Sequence, residues 1–261
     1  MMRKLILAIA AFVFCAATAS ASAQNTLGCD KDKGVQPIDF SQPPNIDFLK
    51  GQLLHYRCTK YDEDVAAVLT EARHWVEKRA PQVYKPAIVL DIDETSLSNW
   101  TRIVRDDFGY IRKGPCEMGK ADQPCGDIAW QKSGEAPALP PTLDLYKAAR
   151  CIDVPKPETC TKVEVFFVTG RRETLGGSEL PSAWTLRNLA RAGYADISRD
   201  HLYMRDPSSQ GPVSKHKIDA RISIERRGFT IIANIGDQDS DLVGHHADRP
   251  FKVPNPFYFI P

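Results

Sequence analysis

The stretch IVLDIDETSLSN, residues 88–99, runs three aliphatic residues straight into two aspartates one residue apart. With Ala87 ahead of it the apolar run is continuous, the pattern of a strand buried on both faces. Asp91 and Asp93 at the end of such a strand repel each other and resist loss of water. Something elsewhere in the chain must compensate them.

Two further runs have the same character: KVEVFFVTG (162–170) and FTIIANIGD (229–237). HLYMR (201–205) reads as a short strand. Between them lie helical segments. YDEDVAAVLTEARHWVEKRA (61–80) places Val65, Ala66, Leu69, Ala72, Trp75 and Val76 on one face, and Pro81 ends it. PSAWTLRNLARAGY (181–194) opens with proline and closes with glycine; KHKIDARISIERRG (215–228) also closes with glycine. Buried strands alternating with helices predict an α/β fold, a Rossmann-like parallel sheet with helices on both faces. Residues 98–160 interrupt the pattern, lack strong periodicity until PTLDLYKAAR (141–150), and read as an inserted cap subdomain after the first motif strand.

Each strong strand ends in a polar cluster: Asp91, Asp93 and Thr95; Thr169, Gly170, Arg171 and Arg172; Asp237, Asp239 and Asp241. Sites in open α/β sheets form beyond the carboxyl ends of the strands, so the three clusters should meet. Several carboxylates at one spot demand a cation, and oxygen donors with few histidines favour Mg²⁺. A magnesium ion with a hydroxyl and a lysine suits phosphoryl transfer. One carboxylate can act as nucleophile and a second as general acid, then base. An EF-hand is excluded, because Thr95 and Ser96 stand where an acid and a glycine belong. Trp100 and Trp130, in or near the insertion, are candidates to stack on a nucleobase or aryl leaving group, against the alternative of packing within it.

Export is expected. Residues 1–23 read as a signal peptide: a basic start at Arg3 and Lys4, an apolar run over 5–19, then small residues ending at Ala23. Their removal takes the net charge from +1 to −1, which gives no reason to expect a nucleic-acid polymer as partner. The apolar run is too short for a membrane span, and none is expected in the mature chain. Residues 24–44 read as irregular, and 45–261 as the folded domain, of 43% apolar composition over the whole chain. Six cysteines remain after the signal: Cys29, Cys58, Cys116, Cys125, Cys151 and Cys160. An even number in an exported chain reads as disulfides. Short loops favour Cys116–Cys125 and Cys151–Cys160, leaving Cys29 with Cys58. Zinc is disfavoured, since no CxxC pair exists. Periplasm is the expected compartment.

VLDIDET, VTGRRE, a lysine ahead of RRGF, and NIGDQDSDL resemble, in order, the four motifs of the haloacid dehalogenase superfamily. Their spelling is similar to its secreted acid phosphatases, the class B and class C enzymes and the group that includes plant vegetative storage proteins, and VPNPFY (253–258) resembles that group's C-terminal signature. The resemblance implies a Mg²⁺-dependent acid phosphatase acting on small phosphomonoesters, with 5′-nucleotidase-like activity within that class. It makes Asp91 the nucleophile and a metal ligand, and Asp93 the acid/base with its carbonyl on the metal. Thr169 and the Gly170 backbone would hold the phosphoryl group. Beside these, Thr95 is a candidate substrate contact, and Arg171 and Arg172 read as either the exposed start of a helix or substrate contacts. Lys217, with Lys215 as competitor, would neutralise phosphate and nucleophile. Asp237 would complete the metal shell and Asp241 would orient a metal water or Lys217. Gln238 and Leu242 depart from the class C pattern and lie closer to the storage-protein branch. A phosphotransferase using the same site, or a non-catalytic storage or binding relative, are the competing readings.

Overall fold

The computed structural model describes residues 45–152, 156–173 and 179–260. The expected signal peptide, the segment 24–44 and Cys29 lie outside the described residues. Five strands form one parallel sheet: β1 (Pro86–Leu90), β2 (Glu164–Arg172), β3 (Leu202–Arg205), β4 (Thr230–Gly236) and β5 (Pro250–Lys252), in the order β3-β2-β1-β4-β5. Around them lie α1 (Ile46–Thr59), α2 (Tyr61–Arg79), α3 (Trp100–Arg105), α4 (Asp127–Ser133), α5 (Pro140–Ala149), α6 (Pro181–Arg191), α7 (Val213–Arg226) and the single turn α8 (Asp239–Leu242).

The continuous apolar strands are buried on both faces, as their sequence requires. Side chains alternate across a strand, so β1 splits its residues between two cores. Ala87 and Val89 join Phe166, Val168, Ala220, Ile224 and Ile231 on the α7 side. Ile88 and Leu90 join Val65, Leu69, Ala72 and Val76 of α2 in the larger core. Within α2 the expected face is buried at Val65, Leu69, Ala72 and Val76, while Trp75 stays partly buried and its Nε1 donates to the Ile232 carbonyl at 2.7 Å.

The expected insertion divides in two. Residues 140–149, placed within it, form α5, which packs against α2 and β2 as the crossover helix from β1 to β2. What departs from a plain crossover is the stretch ahead of it, with α3 and α4 over the carboxyl end of the sheet. A disulfide joins Cys116 to Cys125 in that stretch, and another joins Cys151 to Cys160 after α5. Cys58 is also disulfide-bonded. Among the described residues, no helix is long and apolar enough to cross a membrane.

Candidate active site

The strand order places the site. From β1 the chain moves to β2 on one side and later to β4 on the other, and the crevice at such a reversal opens beyond the strand ends. Asp91 follows β1 and its N–H donates to the Ile235 carbonyl of β4 at 2.9 Å. Asp237 follows β4 directly. One carboxylate oxygen from each of Asp91, Asp237 and Asp241 lies within 4.8 Å of the others, and all three residues are buried. Gly236 permits this: a Cβ there would fall inside contact distance of the Asp241 carboxylate.

Lys217, on α7, is 4% exposed and enters the cluster from the other side. Its Nζ donates to Asp91 Oδ1 at 2.6 Å and pairs with Asp241 Oδ1. Burial disfavours its charge, but Asp91 and Asp241 outweigh burial and hold the ammonium well above its usual range. Lys215, the competing candidate, is exposed and pairs with Asp219. The carboxyl of Asp91 is driven well up by burial and by Asp241, despite Lys217. That of Asp237 is pushed up to about 6 by burial, then by Asp241. Three buried carboxylates against one ammonium leave an excess of negative charge and a set of hard oxygen donors, which together fit a divalent cation.

Asp93 points elsewhere. Arg171 grips its carboxylate, Nη2 donating to Oδ1 at 2.7 Å and Nε to Oδ2 at 2.9 Å, and Asn99 Nδ2 adds a bond to Oδ1 at 2.8 Å. Burial raises the Asp93 carboxyl, but the charge and hydrogen bonds of Arg171 and then Asn99 outweigh it and hold it below the usual carboxylate value. The turn after Asp93 is tight: Glu94 has φ +56° and its N–H donates to the Leu97 carbonyl at 2.8 Å. Glu94 is 2% exposed and accepts from the Asn99 N–H, the Asn99 side chain and the Tyr258 hydroxyl. Burial, then Asp93, push its carboxyl up to about 7.

Several expected substrate contacts sit below the surface. Trp130 is 0% exposed and its Nε1 donates to Asn99 Oδ1 at 2.7 Å. Trp100, 1% exposed, packs against Phe108 and Phe257. Neither lines the cleft, so neither stacks on a leaving group. Each indole fills core volume, and that of Trp130 also supports the amide that holds Asp93. Thr95 is fully buried, and its hydroxyl donates to Asp237 Oδ1 at 3.0 Å, so it supports that carboxylate and does not face the cleft. Thr169 is buried, and its Oγ1 accepts from the Arg171 N–H at 3.1 Å. Gly170 and Arg171 do line the cleft.

The cleft above the acids has a volume of about 650 Å³. Asp91, Asp93, Lys217 and Asp237 form its floor, and Phe108, Tyr110, Ile128, Trp184, Phe259 and Ile260 form an apolar wall. These wall residues went unread in the sequence. Tyr110 and Ile128 lie beside the Cys116–Cys125 loop, tied by the Asp127 N–H to the Ile111 carbonyl at 2.7 Å, and Phe259 and Ile260 come from the end of the chain. The closing signature is built into the site: Asn255 Nδ2 donates to Asp237 Oδ2 at 2.8 Å.

Known proteins resemble this chain in fold and in sequence. The solved structure of a class C acid phosphatase from Bacillus anthracis is similar in fold, at a TM-score of 0.57 and 21% identity, over 80% of this chain and 86% of that one. Vegetative storage protein 2 of Arabidopsis thaliana is 39% identical over 86% of this chain and 76% of its own length. Acid phosphatase 1 of Solanum lycopersicum is 32% identical over 66% of this chain, and the stem 28 kDa glycoprotein of Glycine max 35% identical over 67%. The chain spans about six tenths of the length of these last two relatives, 58% and 61% respectively. The model of the HAD superfamily, subfamily IIIB (acid phosphatase), matches residues 49–261. The chain therefore belongs to the subfamily IIIB acid phosphatase family of the HAD superfamily, related to plant acid phosphatase and vegetative storage proteins.

Proposed function

We propose that this chain is an exported, Mg²⁺-dependent acid phosphatase that hydrolyses small phosphomonoesters through an aspartyl-phosphate on Asp91. The observation that carries the reading is the cluster of Asp91, Asp237 and Asp241 around Lys217, on the floor of an open cleft. Asp91, Asp237 and Asp241, with the Asp93 carbonyl, would hold Mg²⁺, which when bound neutralises charge on the phosphoryl oxygens. Lys217 adds a positive charge beside the nucleophile. The Gly170 backbone, which lines the cleft, would border the phosphoryl position, with Thr169 buried beneath it.

Asp91 Oδ attacks phosphorus as the bond to the leaving oxygen breaks. Asp93, protonated, gives its proton to that alkoxide. The resulting Asp93 carboxylate then takes a proton from water as the water attacks the phosphoaspartate, regenerating Asp91 and releasing phosphate. In the free chain Asp93 is an anion clamped by Arg171. Acidic pH loads the proton the first step consumes, so the optimum is expected on the acidic side. The apolar wall of Tyr110, Trp184 and Phe259 favours aryl or nucleoside leaving groups.

The disulfides favour an oxidising compartment, and we assign the chain to the periplasm. Storage relatives make a non-catalytic role the competing reading. Hydrolysis of p-nitrophenyl phosphate with Mg²⁺ and with chelator separates the two. The parent should turn over, chelator should stop it, and Asp91→Asn should abolish it while preserving circular dichroism. Substantial turnover by Asp91→Asn would refute the nucleophile assignment, and an inert parent would refute the enzyme.

A further inference from the structure

We propose that residues 253–260 form a strap that fixes the orientation of the Asp237 carboxylate toward the metal, with Asn255 as the positioning residue. This rests on the reading of Asp91, Asp237 and Asp241 as a Mg²⁺ site. Asp237 Oδ2 accepts from Asn255 Nδ2 at 2.8 Å and from Gln238 Nε2 at 2.5 Å. Its Oδ1 accepts from the Thr95 hydroxyl at 3.0 Å. A carboxylate has about four acceptor positions. Three are filled, so the one left for a cation lies on Oδ1. Held this way, the group cannot rotate to offer its other oxygen.

The strap is itself held. Asn255 stands between Pro254 and Pro256, whose rings fix their own φ and bias Val253 and Asn255 toward extended backbone. Asn255 Oδ1 accepts from the Phe257 N–H at 3.0 Å, which leaves its amide hydrogens facing Asp237. Phe257 is buried between Tyr61 and Trp100, with ring centroids 5.3 and 5.1 Å away. The Val253 N–H donates to the Gly236 carbonyl at 2.9 Å, on the residue before Asp237. Farther along, the Ile260 N–H donates to Gln238 Oε1 at 3.0 Å, so the second amide on Asp237 is aimed by the same segment. Tyr258 reaches the other acidic corner, its hydroxyl donating to Glu94. The end of the chain thus ties the turn after β1 to the turn after β4, the two places from which the acids project.

The test is Mg²⁺ binding to the purified full chain by isothermal titration calorimetry, for the parent, Asn255→Ala and Asn255→Ser. Serine keeps an acceptor for the Phe257 N–H but is too short to reach Asp237. Removing a partner that orients a metal ligand weakens metal affinity about 10- to 100-fold, and that is the loss expected in both variants. The Mg²⁺ concentration for half-maximal activity should rise by the same factor, with kcat recovered at saturation. Near-ultraviolet circular dichroism of the metal-free variants should match the parent. Mg²⁺ affinity within about twofold of the parent in Asn255→Ser would overturn the strap alone, and a lowered melting temperature with unchanged affinity would reduce Asn255 to a structural role. A parent that binds no Mg²⁺ would overturn the metal site and the strap together.

Discussion

Replacing Asp237 by Asn should stabilise the metal-free protein and abolish its response to Mg²⁺. The Asp237 carboxyl moves from 3.8 to about 6 on folding, through burial and then Asp241. A folded-state value above the unfolded one means the native state holds more protons over that interval. Stability therefore falls as pH rises from about 4 to 6 and stays lowered above it. At 1.36 kcal/mol per unit, ionised Asp237 costs the metal-free fold roughly 3 kcal/mol at pH 7. Asparagine removes that cost and keeps the shape. Its oxygen can accept from Asn255 and Gln238 as Oδ2 does, and its NH₂ can donate to Thr95 after the hydroxyl rotates. For a domain of this size 1 kcal/mol shifts Tm by about 2–4 °C, so metal-free Asp237→Asn should melt up to about 6–12 °C above the parent at pH 7. Mg²⁺ at a hundred times Kd stabilises the parent by about 2.7 kcal/mol, or about 5–11 °C, and the variant by nothing measurable. Differential scanning calorimetry from pH 5 to 8, with chelator and with Mg²⁺, reads both arms. Raised Asp91 remains in the variant, so its pH slope should shrink without vanishing. If the metal-free variant melts at or below the parent at pH 7, or gains as much from Mg²⁺, the charge argument for the site is wrong.

Two further outcomes follow from the walls of the cleft. Arg171→Met removes the guanidinium that holds the Asp93 carboxyl down, leaving burial to raise it. The alkaline limb of kcat against pH should then move to higher pH while kcat at the optimum falls. Phenyl phosphate, whose leaving group needs the proton, should show this more than p-nitrophenyl phosphate; an unmoved limb with both would remove Asp93 as the acid. Replacing Cys116 and Cys125 together by serine opens a loop with a sequence separation of 9 and should cost about 2.5 kcal/mol in denaturant unfolding. Because that loop abuts Tyr110 and Asp127, KM for aryl phosphates should rise with kcat preserved, and equal loss of both would show that the loop supports the floor as well.

The sheet was legible because its strands are fully buried and its helices amphipathic, so period and run length carried the information. β5 was not, since three residues at an edge have no measurable period. The helices α3 and α4, of 6 and 7 residues, are too short to show a stripe. The helix α1 hides itself by exposing Ile46, Phe48 and Leu49 in its first turn.

The acids were legible because Asp91 and Asp237 directly follow strands and Asp93 and Asp241 lie in the turns just beyond, and strand order alone brings those ends together. Side-chain partners are a different matter, and Arg171 shows why. With β2 expected to stop at Gly170, Arg171 read as the start of a helix or a substrate contact. The strand runs on to Arg172, so Thr169 and Arg171 fall two apart on one face. A residue on the same face as Thr169, over the end of the neighbouring β1, must reach the turn that carries Asp93. The partner of the second aspartate was therefore encoded in where β2 ends, four residues beyond Val168, its last aliphatic side chain. The same logic disposes of Trp130: once Arg171 and Asn99 must both grip Asp93, the amide needs a buried donor behind it, and an indole already spent on that bond cannot also face a substrate.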